Sequence, residues 1–277
     1  MTGNGDGTVL VVLAGREGAE AALRHAAQAA AALAHPLIIA LHVRVDPMST
    51  ILPTEEMLSE DQRREMELEA AREGAVLHEL YETWSRHLGR GLLADWRDVA
   101  GTEAEQVQQH AAGADLLVMA APTEETRGHA LQAFHAALFD AGRPLLAVPI
   151  AAREPGPVRR VLVGWKDSEG SRRAVRAAAP WLRRADDVQA VRVGEADGSE
   201  LAMAEQVLAD LGVRGTVRAV AENGLTDGER LLAEAEAMCA DWLVMGAYRH
   251  SRLIEWVLGG VTRTVLHHAR LPGFLAH

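Results

Sequence analysis

The sequence predicts an α/β protein built as two tandem, doubly wound open parallel sheets of five strands each, with helices on both faces. Three observations carry that expectation. Short runs such as "TVLVVLA", "PLIIALHV", "RRVLVGW" and "DWLVM" are continuously apolar, as strands buried on both faces must be. Alanine-rich segments of helical character separate them, and strand–helix alternation is the pattern of parallel strands joined by crossovers. The whole order of segments is used twice.

The duplication sets the elements in order. "VLVV" at Val9 is answered by "VLVG" at Val161, 152 positions later, and each leads into an alanine-rich helix beginning at Glu17 or Glu169. "GADLLVMAAP" at Gly113 is answered by "CADWLVMGAY" at Cys239, 126 positions later, and "GRPLLAVP" at Gly142 by "ARLPGFLAH" at Ala269. The first copy is therefore longer by about 26 residues, supplied by "LPTEEMLSEDQRREMELEAAREGAVLHELYETWSRHL". Met66, Ala70, Leu77, Leu80, Trp84 and Leu88 recur there at helical spacing, giving a long helix with a charged, mostly acidic outer face. Strands are expected near 8–14, 36–45, 93–100, 115–120 and 144–149, then near 158–165, 187–193, 213–221, 241–246 and 271–276. Pro155-Gly156-Pro157 continues neither a helix nor a sheet ladder, so the boundary falls between domains 1–150 and 151–277.

Composition narrows the function. The chain is 48% hydrophobic and 24% charged, with net charge −11 and a pI near 5.5. These are values of a soluble globular protein, and the acidity argues against a nucleic-acid surface. No apolar stretch approaches the ~20 residues that span a bilayer, and the polar start "MTGNGDGT" has no signal-peptide core. A cytoplasmic location, without membrane or nucleic-acid partners, is expected. Cys239 is the only cysteine, which leaves no intrachain disulfide, and it reads as a small apolar packer ahead of a strand. Among the histidines, neighbours His267 and His268 diverge by ~100° on a helix and His129 and His135 are six apart, so no metal site is expected. His42 reads as a core or strand-end histidine. No G-x-S-x-G elbow or Walker loop is present. Ser168 reads as a helix cap, Trp165 as a filler of the sheet's rim, and "GTEAEQ" at Gly101 as a helix start. No catalytic residue is assigned.

"RRVLVGWKDSEGSRRAVRAA", "ADWLVMGAYRHS" and "WVLGGVTRTVLHHARLP" resemble the universal stress protein family. "VLVVLAGREGAEAALRHAA", "WRDVAG", "ADLLVMA" and "ALFDAGRPLLAVP" resemble it more loosely, so nearly the whole chain looks like a tandem member. The resemblance implies a regulatory binding protein of stress survival, an internal pseudo-dimer open to further pairing as a homodimer, and last strands lying close together. In the family's ATP-binding branch, spaced glycines after the fourth strand and a Ser or Thr cradle the phosphates, and an Asp ends the first strand. Here Gly246 and Gly259 keep the outer glycine positions, Arg249 replaces the middle one, Gly260 replaces the hydroxyl, and Lys166 takes the Asp position. Thr262 stands close enough to supply a hydroxyl. Two readings stay open for the C-terminal half: a pocket for ATP with Mg or another small ligand, or a site closed by Arg249 neutralised by Glu255 or Asp167. In the first half Ala14 takes the Asp position, and Glu124 and Glu125 oppose phosphate, so no nucleotide is expected there. A slow ATP hydrolase and a ligand-free scaffold are the alternatives.

Overall fold

The computed structural model describes residues 7–45, 59–247 and 260–277. In the first half, the strands are β1 (Thr8–Val12), β2 (Leu37–Arg44), β3 (Leu93–Ala100), β4 (Leu116–Ala120) and β5 (Leu145–Val148). They alternate with helices α1 (Ala19–Ala30), α2 (Glu60–Ser85), α3 (Glu103–Ala111) and α4 (Gly128–His135), the last running on into a π turn at Ala136–Asp140. The second half repeats the series as β6 (Arg160–Gly164), α5 (Glu169–Leu182), β7 (Asp187–Val193), α6 (Gly198–Asp210), β8 (Thr216–Val220), α7 (Asp227–Ala237), β9 (Trp242–Gly246), α8 (Gly260–His268) and β10 (Gly273–Ala276). Every expected strand is present, most a residue or two shorter than the apolar run that announced it.

The expectation of two separate sheets is corrected. All ten strands form one sheet in the order β3-β2-β1-β4-β5-β10-β9-β6-β7-β8. Of the nine neighbour pairings in this sheet eight are parallel; the β5–β10 pairing is antiparallel, with Leu145 opposite Leu275, Leu146 opposite Phe274 and Ala147 opposite Gly273. Both are four-residue strands of wholly buried residues. An apolar edge of that kind left open would expose unpaired N–H and C=O groups, and each strand supplies the other's missing ladder. On either side of this seam the strand order is the same, read outward.

The repetition extends to side chains. Asp115 accepts hydrogen bonds from the Gly7 and Thr8 amides, both at 3.0 Å, which ties the start of β4 to the start of β1. Asp241 does the same for Arg159 and Arg160 at 2.8 Å. Two apolar layers cover the sheet. One packs α1, α2, α5 and α6 through residues such as Leu23, Leu77, Val175 and Leu208. The other packs α3, α4, α7 and α8 through Val107, Phe134, Leu231 and Val265. Near the seam, Trp242 stacks on Phe274 at 5.9 Å, and Trp181 lies tilted 5.6 Å from each of them. The Trp181 indole donates to the Ala29 carbonyl on α1 at 2.9 Å, so α1 and α5 are tied across the middle. No described helix is long and apolar enough to cross a membrane.

The long helix starts at a capping box, with the Ser59 hydroxyl accepting the Gln62 amide and the Gln62 side chain returning to the Ser59 amide. Only Leu77 and Tyr81 on it are buried, both in its second half. Cys239 corrects another expectation. It is exposed, with φ of 49°, in the turn between α7 and β9, because the chain reverses there before it enters the core.

Candidate functional site

In an open doubly wound sheet, ligands sit beyond the carboxyl ends of the strands where the strand order reverses. Here that point occurs twice, between β1 and β4 and between β6 and β9.

At the second point Gly246 ends β9 and is buried. A Cβ there would lie 2.6 Å from the Gly170 carbonyl carbon and 2.8 Å from the Ser171 amide nitrogen. The glycine therefore lets the first turn of α5 rest directly on the strand end. Lys166 follows β6, which pairs with β9; its side chain is exposed, and its amide donates to the Ser171 hydroxyl at 3.3 Å. Ser168 is the N-cap of α5, accepting the Ser171 amide. Asp167 pairs with Arg172, and its amide donates to Glu200 at 3.0 Å, which in turn binds Arg192 at 3.0 Å. Gly260 is exposed at the first described position of α8, whereas Thr262 is 1% exposed and its hydroxyl has no partner among the described residues. Trp165 is buried at the rim of the sheet, with its indole N–H also unpartnered among them. Arg249, Gly259 and Glu255 lie outside the described residues.

Gly246, Lys166 and the α5 start therefore share one end of two adjacent strands, and Val265 anchors α8 to the same core as Met245 and Ala247. An orphaned buried hydroxyl and a free ammonium are groups that suit a phosphate. The described residues do not suit a metal: Asp167 is paired with Arg172, and no group of three His, Cys, Asp or Glu is placed to hold an ion.

At the first point lies a cavity of about 370 Å³ that sequence reading missed. Its walls are mostly apolar, with Leu13, Ala14, Met119, Phe134 and Ile150, and its polar groups are Arg16, Glu17, Glu73, Thr126, Arg127 and His129. Gly18, at φ 74°, opens α1 without a side-chain cap, and a Cβ on it would meet that of Ala120 at 2.6 Å. The signal was present in the 152-residue offset, which places Gly18 opposite Gly170, both under a strand end. Beside this cavity Glu103, in the first turn of α3, is 2% exposed. Burial first, and then the Glu73 carboxylate on α2, push its pKa up to about 8. A helix N-terminus favours a carboxylate anion, yet desolvation outweighs it here.

The comparisons with known proteins agree with this architecture. Residues 157–275 match the model of the universal stress protein family. In structure, the chain is similar to a universal stress protein from Archaeoglobus fulgidus DSM 4304, with a TM-score of 0.69 at 16% identity over 98% of both chains. It is also similar to a putative universal stress protein from Pseudomonas aeruginosa UCBPP-PA14, with a TM-score of 0.53 at 14% identity over 97% of this chain and 92% of that one. At such identities the likeness is one of fold. No curated protein sequence matches the chain.

Proposed function

We propose that this chain is a tandem universal stress protein, a cytoplasmic regulatory binding module of two domains, 1–150 and 151–277, that pack as an internal pseudo-dimer. The observation that carries the reading is the seam: two halves of identical strand order join through β5 and β10, and the Asp115 and Asp241 ties repeat in each. The family match over 157–275 supports the second half directly.

The ligand on this reading is a nucleotide or a similar small phosphate ester in the C-terminal half. Gly246, Lys166, Gly260 and Thr262 would hold it together with Arg249 and Gly259. Binding rather than turnover is favoured by the Asp167–Arg172 pair. Phosphoryl transfer needs a carboxylate to hold a metal and a group to place water, and Asp167 is already engaged.

Titration of ATP with and without Mg²⁺, followed by thermal unfolding, tests the proposal. A ligand at 100 times its dissociation constant adds roughly 2.7 kcal/mol. The expected result is a saturable stabilisation that does not require Mg²⁺ and is lost in Thr262→Val. Stabilisation only after Arg249→Gly would show that Arg249 closes the site. Phosphate release above background would favour a hydrolase.

A further inference from the structure

The halves also meet away from the sheet, where the loop between β4 and α4 faces α8 across a groove of about 560 Å³. Arg127, Thr123, Thr126 and Glu124 line it from the first half, Arg263 and His267 from the second. We propose that this groove binds a tetrahedral oxyanion dianion, clamped between Arg127 and Arg263 with His267 as a third donor. The site is separate from the pocket near Gly246 and does not depend on it.

Several observations converge on that class of ligand. Arg263 and His267 are four residues apart on α8 and so share a face. Arg263 is exposed and has no carboxylate within ion-pair distance among the described residues. Among the described residues the Arg127 guanidinium donates only to carbonyls of its own loop, those of Glu124 and Thr126, which positions it without neutralising it. His267 differs in one respect from three other histidines at or near helix ends or faces. His25, His87 and His110 each turn Nδ1 back to the carbonyl four residues earlier, at 2.8–2.9 Å. The buried Nδ1 of His267 has no such partner among the described residues.

Two cations, Arg127 and Arg263, share the groove with one carboxylate, Glu124, so an anion completes the balance. Donors arriving from a loop on one wall and a helix on the other suit a tetrahedral group, whereas a planar carboxylate is satisfied by a single guanidinium. Proton linkage follows from the groups around His267. Burial and then Arg263 lower its pKa, with His268 adding to this, while Glu124 raises it; Arg127 stands on the facing wall. A bound dianion favours the imidazolium, so binding takes up a proton and tightens as pH falls.

Sulfate is the probe, because it keeps two charges throughout the range used, and chloride at equal ionic strength is the reference. Calorimetry and thermal unfolding should show saturable sulfate binding, weakened roughly tenfold or more in Arg263→Gln and in Arg127→Gln. Glu124→Gln should tighten it, and Thr262→Val should leave it unchanged, which separates this groove from the C-terminal pocket. Affinity at pH 6 should exceed that at pH 8 by about threefold or more, and His267→Phe should flatten the profile. Equal effects of sulfate and chloride, or sulfate binding that survives both arginine substitutions, would overturn the proposal. So would loss in Thr262→Val.

Discussion

The two strand-reversal points share a plan and differ in how tightly it is closed. In the second half Gly246 lies so close to Gly170 that a single added carbon would sit 2.6 Å from backbone. In the first half the equivalent strand position is Ala120, whose methyl occupies the space left by Gly18. The first helix starts without a side-chain cap, whereas the fifth is capped by Ser168. The repeated strand order supplies the same scaffold twice; one missing or extra carbon at the strand end decides how near the helix comes.

The same contrast runs through the seam. The aromatic cluster of Trp181, Trp242 and Phe274 comes from the second half alone. Small or aliphatic residues face it from the first, with Leu146 opposite Phe274 and Ala29 receiving the Trp181 indole. The largest expected effect therefore belongs to Trp242, which is fully buried. Trp242→Ala should cost about 3–5 kcal/mol in denaturant unfolding and exceed the loss from Leu116→Ala at the matching place on β4. The reverse order would show that the halves contribute equally to the seam.

Next comes the pair of helix starts, Glu103 on α3 and Asp227 on α7. Glu103 is buried and Asp227 exposed. Because the folded pKa of Glu103 lies near 8 and its ordinary value is 4.5, the folded state holds a proton that the unfolded state releases between those limits. Stability should thus fall as pH rises through that window, with the full penalty present above about 8. At about 1.4 kcal/mol per unit, Glu103→Gln should recover roughly 2–4 kcal/mol at pH 9 and flatten the slope, while Asp227→Asn should change neither. Thermal unfolding across pH checks both, and a parent slope that survives Glu103→Gln would rule out this group as its source.

The smallest effect sharpens the strand-end comparison itself. Gly246→Ala should cost about 1–3 kcal/mol, because the new methyl meets backbone that cannot swing aside. Ala120→Gly should cost about 1 kcal/mol or less, through lost packing and added chain entropy. Chemical unfolding of the two variants measures the difference, and equal costs would mean that α5 can back away from β9.

Much of this architecture was legible beforehand. The run "DWLVM" announced β9 because a strand covered on both faces must be apolar throughout, and "GTEAEQ" at Gly101 read as a helix start, where α3 begins with Thr102 accepting the Glu105 amide. Gly246, Lys166 and Thr262 were singled out through the family resemblance; Gly246 ends β9 and Lys166 follows β6, the strand paired with it. The cavity in the first half was not legible, because its walls are ordinary alanines and leucines whose meeting depends on how α1 and α4 lean. The partner of Gly246 was hidden for a similar reason: Gly170 looks like any glycine near a helix start until β9 is laid against it. Cys239 misled because a small apolar residue beside a strand is usually inside, and only the direction of the turn put it outside.

By itself the sequence determined the number, order and type of the elements, since periodicity and capping are local and act within a few residues. It also determined that the plan is repeated. Only the tertiary structure decided that the two plans fuse into one sheet, that Glu103 loses its water while Asp227 keeps it, and that Arg127 comes to face Arg263. Those outcomes rest on contacts between residues far apart in the chain, whose energies depend on distance and desolvation, which a linear pattern does not encode.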